Sequence, residues 1–130
     1  MKYGKPIIKD PLGNDFELKN EEQLQNYLNL PASHWKSGSG DAAIWINDTD
    51  ALLFFKYDTN SYFIMELASY ESPIHNEDEI EWLSHDIGGE PFLFSSRYLC
   101  DQQTLIKIIL HFASSGEKDP NFDWKDPIPS

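Results

Sequence analysis

Apolar residues along the chain fall into short runs broken by turn-forming residues, and their period alternates between strand-like and helix-like. Pro6-Ile7-Ile8-Lys9 and Asp15-Phe16-Glu17-Leu18 are separated by Asp10-Pro11-Leu12-Gly13-Asn14. Proline presets one backbone dihedral there, and glycine and asparagine tolerate positive φ, so this stretch predicts a β-hairpin. Leu24, Tyr27 and Leu28 then recur at i, i+3 and i+4, the stripe of an amphipathic helix. Asn20 is placed to cap it, Gln23 completes a capping-box pattern, and Glu21 and Glu22 favour the positive helix end. Pro31 ends the helix, because the residue before a proline is pushed out of α space. Pro31 to Asp41 is expected to be a loop, with Ser37-Gly38-Ser39-Gly40 its flexible part.

Three apolar runs follow: Ala42–Ile46, Ala51–Tyr57 and Ser61–Ala68. They are rich in aromatic and β-branched residues and nearly apolar on both alternating sets, so both faces of these strands should be covered. One cover should be helix, the other loops or a partner. Asn47–Asp50 and Asp58–Asn60 are too short for parallel crossovers, which makes the three strands an antiparallel meander. Glu79–His85 reads as another strand with Ile80 and Trp82 on one face. Gly88-Gly89-Glu90-Pro91 reads as a turn, and Phe92-Leu93-Phe94 as a short strand. Asp101 caps the strongest helix, whose stripe is Leu105, Ile108, Ile109 and Phe112, and Gly116 sits at its left-handed end. Pro120, Pro127 and Pro129 keep the tail extended or irregular, with Trp124 large enough to pin it to the body. The expected architecture is one α+β domain over residues 1–130, an antiparallel meander of about six to seven strands with two helices packed on it.

Composition narrows what such a domain does. A chain of 130 residues with 40% hydrophobic content is long enough to bury a core. Cys100 is the sole cysteine, so no intramolecular disulfide forms. No stretch approaches the roughly 20 apolar residues of a membrane span, and no apolar signal core follows Met1–Pro6. These features predict a soluble cytoplasmic protein. The charge changes the picture more. The chain carries 22 acidic against 10 basic residues, a net charge of −12. Residues 37–96 hold twelve of the acids and one base, Lys56, while the flanking segments are close to neutral. Seven acids lie between Glu71 and Glu90. Such a balance excludes unaided binding to nucleic acid or to an anionic membrane. It leaves two uses: a negative field that steers a basic protein partner, or a solvated acidic face.

Catalytic constellations are sparse. His34, His75, His85 and His111 show no metal-ligand spacing, and Cys100 has no second cysteine, so no metal or cofactor is expected. His85-Asp86 is the best acid–base fragment, but neighbouring strand residues face opposite ways, which predicts a surface histidine in an acidic patch. His111 falls beside the core stripe, on the helix surface. Cys100 reads as a half-buried structural thiol. Gly88-Gly89 lacks the lysine and hydroxyl of a phosphate loop, and Asp48, Asp50 and Glu77-Asp78-Glu79 lack calcium-loop spacing. The remaining reading is a protein that binds a protein, with Tyr70, Trp82 and Tyr98 as possible aromatic anchors near the acidic segment.

The C-terminal third carries a further pattern. Ile87-Gly88-Gly89-Glu90-Pro91-Phe92-Leu93-Phe94 leads into the helix Thr104–Ala113, then Ser115-Gly116-Glu117 and Phe122-Asp123-Trp124. A glycine pair and proline before a strand, a helix ending in Phe and Gly, and an aromatic-Asp-Trp close together resemble the first-numbered family of bacterial polymorphic-toxin immunity proteins. That resemblance covers about forty residues and implies an antiparallel α+β fold and a stoichiometric inhibitor, not an enzyme. The toxins in such systems are typically nucleases or nucleic-acid deaminases. Gly88, Gly89, Pro91, Phe112, Gly116 and Trp124 match as turn, cap and packing residues. A toxin that holds phosphate needs a basic surface, and a run of carboxylates fits it. The expected contact residues are Glu71, Glu77, Asp78, Glu79, Glu81 and Asp86, with Trp82 as anchor, on a one-to-one complex with the toxin domain. The alternative is a small enzyme or ligand-binding domain using His85 and nearby carboxylates.

Overall fold

A computed structural model describes residues 5–76 and 81–127. The first hairpin forms from β1 (Ile7–Lys9) and β2 (Phe16–Glu17). β3 (Ala42–Trp45), β4 (Ala51–Lys56) and β5 (Tyr62–Glu66) make the meander, and β1 pairs antiparallel with β3. The resulting five-stranded sheet has the order β2-β1-β3-β4-β5. β6 (Ser72–Pro73) pairs with β9 (Trp124–Lys125), and β7 (Trp82–Ile87) pairs with β8 (Glu90–Ser95). Two helices complete the α+β fold: α1 (Glu21–Leu28) and α2 (Gln102–Ser115). The strand count exceeds the expected range by β6 and β9, two-residue pairings with too little sequence to show a period.

Local signals set the helices. Asn20 Oδ1 accepts from Gln23 N–H at 2.8 Å, and Gln23 Oε1 reaches back to Lys19 N–H at 2.7 Å, one residue beyond the usual capping-box target. Asp101 Oδ1 accepts from Thr104 N–H at 2.8 Å. Gly116, at φ 77°, closes α2 with its N–H on Phe112 O at 2.8 Å. The α2 stripe Leu105, Ile108, Ile109 and Phe112 is buried, together with Ile106.

All six residues of β4 are buried because the sheet is covered on both sides. Leu52, Phe54 and Lys56 share the helix face by strand alternation. Phe54 meets Tyr27 of α1 edge-on at 6.4 Å, and Lys56 Nζ donates to Leu28 O and Leu30 O at 3.1 and 3.0 Å. Ala51, Leu53 and Phe55 face the other way, against the β7–β8 hairpin. Phe55 stacks on His85 at 3.9 Å and meets Phe94 at 5.7 Å, while Phe63 of β5 meets Phe92 and Phe94 at 5.4 and 4.9 Å. Each buried phenylalanine of this layer contributes about 1.5–3 kcal/mol by leaving water. The molecule is thus three layers: helices, main sheet, hairpin. The cover expected from loops or a partner is this hairpin.

Four expectations need correction. Residues 32–36 are not loop but a 3-10 helix, Ala32–Lys36, that buries Trp35 completely. Ser37–Gly40 is not flexible: Ser39 N–H donates to Pro11 O at 3.1 Å and Gly88 N–H to Ser39 O at 2.7 Å. The turn after β7 is Gly88-Gly89 alone, at φ 61° and 86°, and Glu90 and Pro91 already belong to β8. Proline fits there because β8 pairs with β7 on one side only. The tail is not irregular throughout, since Trp124 and Lys125 form β9; Trp124 does pin it, with Nε1–H on Asp119 O at 2.9 Å.

Candidate partner-binding surface

The β7–β8 register decides which side chains of the acidic segment are presented. Trp82 lies opposite Ser95, Ser84 opposite Leu93 and Asp86 opposite Pro91. Alternation turns Leu83, His85 and Ile87 inward, with Phe92 and Phe94, and leaves Trp82, Ser84, Asp86, Pro91 and Leu93 on the outer face. Trp82 is 55% exposed and Leu93 51%, two of the few large apolar residues that reach solvent among the described residues. They are diagonal neighbours across the strand pair, close enough for an indole and a leucyl side chain to form one patch. Asp86 is exposed on the same face, while Glu81, one residue before β7, and Glu90, opposite Ile87 at the turn, are exposed at the two ends of the hairpin. No lysine or arginine occurs between Glu81 and Ser96. Glu81 is held by its backbone, with N–H on Ser96 Oγ at 3.1 Å and O accepting from Ser96 N–H at 2.8 Å.

The expected contact residues divide accordingly. Trp82 and Asp86 share the outer face of this hairpin, four residues apart on β7, and Glu81 is exposed just before the strand. Glu77, Asp78 and Glu79, with Ile80, lie outside the described residues. Glu71 is elsewhere and already engaged: its Oε1 accepts from Lys118 Nζ at 2.6 Å. Lys118 is also 3.7 Å from Glu66 and lies over the Trp124 ring. The hydrogen bond to Glu71 raises the Lys118 pKa despite partial burial. Glu71 therefore ties β6 to the tail, and a partner's cation would have to displace Lys118. Of the three aromatic candidates, Tyr70 and Trp82 are exposed but Tyr98 is buried, its hydroxyl on Asp126 O at 3.3 Å.

His85 is not a surface histidine. It is 5% exposed, parallel to the Phe55 ring, and its Nε2 lies 2.7 Å from Gly40 O, to which Nε2–H donates. Asp86 points the other way, so the two form no acid–base pair. A hollow of about 420 Å³ is lined by Lys36, Tyr57, Asp58, Ser84, His85 and Asp86, and no second histidine enters it. Cys100 is buried rather than half-buried, and burial pushes its thiol pKa far up, away from nucleophilic use.

One polar cluster has no signal in the sequence. Asp10, in the β1–β2 turn, accepts at Oδ1 from Tyr27 OH at 2.6 Å and pairs with His34 Nε2. Its Oδ2 accepts from Leu12 N–H at 2.9 Å. Burial alone would raise the Asp10 pKa, but the bonds from Tyr27, His34 and Leu12 outweigh it and hold the carboxyl below its usual value. Burial and the Asp10 carboxylate push the Tyr27 phenol far up. These partners join the turn, α1 and the 3-10 helix, and they line none of the described hollows.

No protein-family model matches the chain, and no curated protein matches it significantly. Among the described residues, no helix is long and apolar enough to cross a membrane, and no group of three or more His, Cys, Asp or Glu is placed to hold a metal ion.

Proposed function

We propose that this chain is an immunity-type inhibitor that binds a basic, nucleic-acid-processing toxin domain one-to-one and covers its phosphate-binding surface. It acts by occupancy rather than turnover, in the cytoplasm of the cell that makes the toxin. The observation that carries this reading is the outer face of β7–β8, where Trp82 and Leu93 are exposed beside Asp86, with Glu81 before the hairpin and Glu90 at its turn also exposed and no base in the hairpin. An aromatic anchor inside a charged rim is the usual arrangement of a tight interface. A surface that holds phosphate must be basic, so the same rim both attracts it and displaces its substrate. The resemblance of the Ile87–Phe94 and Thr104–Trp124 segments to toxin-immunity proteins points the same way.

The test uses the C-terminal domain of the large secreted protein expected in the adjacent reading frame. The purified chain should bind that domain in a calorimetric titration with a stoichiometry of one and restore growth to cells expressing it. Trp82→Ala should weaken binding by about 2 kcal/mol or more, as for a central anchor. Absence of binding by the wild-type chain, or full-strength binding by Trp82→Ala, would sink the proposal or its surface respectively.

A further inference from the structure

Tyr70 occupies a backbone position that suits glycine. It closes the turn from β5 to β6, where Glu66 N–H donates to Glu71 O and Tyr70 N–H to Glu66 O, each at 2.8 Å. Its φ is 58°, the only positive value at a non-glycine among the described residues. A bulky L-residue in the left-handed region is strained, and such strain persists where something else keeps the side chain. Packing does not, because Tyr70 is 57% exposed. Its ring instead flanks an open apolar groove of about 340 Å³ between the main sheet and the hairpin tip. Leu53 and Leu67 form the sheet side, Pro91 and Phe92 the hairpin side, and Glu90 is the sole charged residue of the lining.

The groove is continuous with the proposed interface. Pro91 stands on the outer face of β8 two residues from Leu93 and also lines the groove, so an apolar path runs from Trp82 over Leu93 and Pro91 to Tyr70. Too few polar groups converge there to orient a small molecule. Glu90 at the rim, in a segment whose charge is almost wholly negative, favours a basic neighbour. Resting on the inhibitor reading, we propose that this groove is a second anchor point: it receives an apolar side chain, flanked by lysine or arginine, from the toxin domain. Tyr70 is the residue that sets which partner fits, and its strained backbone is the cost of presenting that ring.

Three variants test this against the toxin domain of the adjacent reading frame: Tyr70→Gly, Tyr70→Phe and Trp82→Ala. Tyr70→Gly should raise Tm by about 3–5 °C through relief of the backbone and weaken binding about tenfold or more. Tyr70→Phe should keep Kd within about threefold, since the ring and not the hydroxyl fills the groove. If Tyr70→Gly binds like wild type while Trp82→Ala is weakened, the second anchor is wrong and the inhibitor reading stands. If wild type binds no domain, both fall. A lower Tm for Tyr70→Gly would overturn the strain argument. Sedimentation of the chain alone as a dimer, converted to monomer by Tyr70→Gly, would overturn the choice of occupant in favour of a second copy.

Discussion

His75 shows how burial turns one side chain into a pH sensor of the fold. Its ring meets Phe122 edge-on at 5.3 Å, its backbone N–H donates to Arg97 O at 2.8 Å, and its buried Nε2 has no hydrogen-bond partner. Burial lowers its pKa to about 4, with Asp101 opposing the shift. Between the ordinary value of 6.5 and about 4 the unfolded chain binds a proton that the folded chain refuses. Stability must therefore fall as pH drops through that window. The urea midpoint of the wild type should decline from pH 6.5 to 4, and His75→Phe should flatten that decline. An unchanged slope would assign the acid lability of that window to groups other than His75; Asp10 is not one of them, because its contribution is lost only below the usual carboxylate range. At this scale, sequence reading succeeds where partners are close along the chain. The caps Asn20, Asp101 and Gly116 each act within four residues. Asp10–His34 and Lys56–Leu28 span 24 and 28 residues, and nothing local in either residue announces the other.

Between elements, the segment Ser37–Gly40 matters more than its composition suggests. It is threaded between the β1–β2 turn and the end of β7. A Cβ at Gly38 would lie 2.1 Å from Pro11 O, and one at Gly40 2.0 Å from Asp86 O. Gly40 also carries the carbonyl that fixes His85. A serine–glycine run reads as flexible because composition reports what a chain can do alone. Here positive φ and close backbone approach, the other uses of glycine, decide the outcome. Gly40→Ala should destabilise the domain by about 2 kcal/mol or more, whereas Gly13→Ala, with nothing within 4 Å of its Cβ, should cost only about 1 kcal/mol for its positive φ. Equal losses in thermal denaturation would show that the latch yields without strain. The same contrast runs through the other elements. β3, β4 and β5 are legible because apolar runs on both faces need two covers. The identity of the second cover is not, because it depends on the fold-back of β7–β8, which turns His85 in and Trp82 out. Alternation predicted that His85 and Asp86 would separate, but not which of them would meet Phe55.

Over the whole molecule, the net charge of −12 becomes a directed field only if the acids share a surface. The single base of the acidic central segment, Lys56, is buried against Leu28 O and Leu30 O and pairs with none of the described surface acids. Glu71 is spent on Lys118, while Glu81, Asp86 and Glu90 are exposed before, along and at the turn of the β7–β8 hairpin. Reversing these three to lysine halves the net charge, from −12 to −6, without touching a buried atom. Relief of self-repulsion should leave Tm equal to or slightly above wild type. Association with the toxin domain should slow by about 10-fold or more at low salt, and the difference should shrink as ionic strength rises, because exposed charges beyond a Debye length are screened. The apolar contacts of Trp82 and Leu93 would remain, so dissociation should quicken less than association slows, except where a reversed charge had been desolvated in the complex. Stopped-flow rates across salt concentrations separate the two effects. A variant that associates at the wild-type rate at every ionic strength would reduce the acidic segment to a solvated face, leaving the Trp82–Leu93 patch as the sole ground for an interface here.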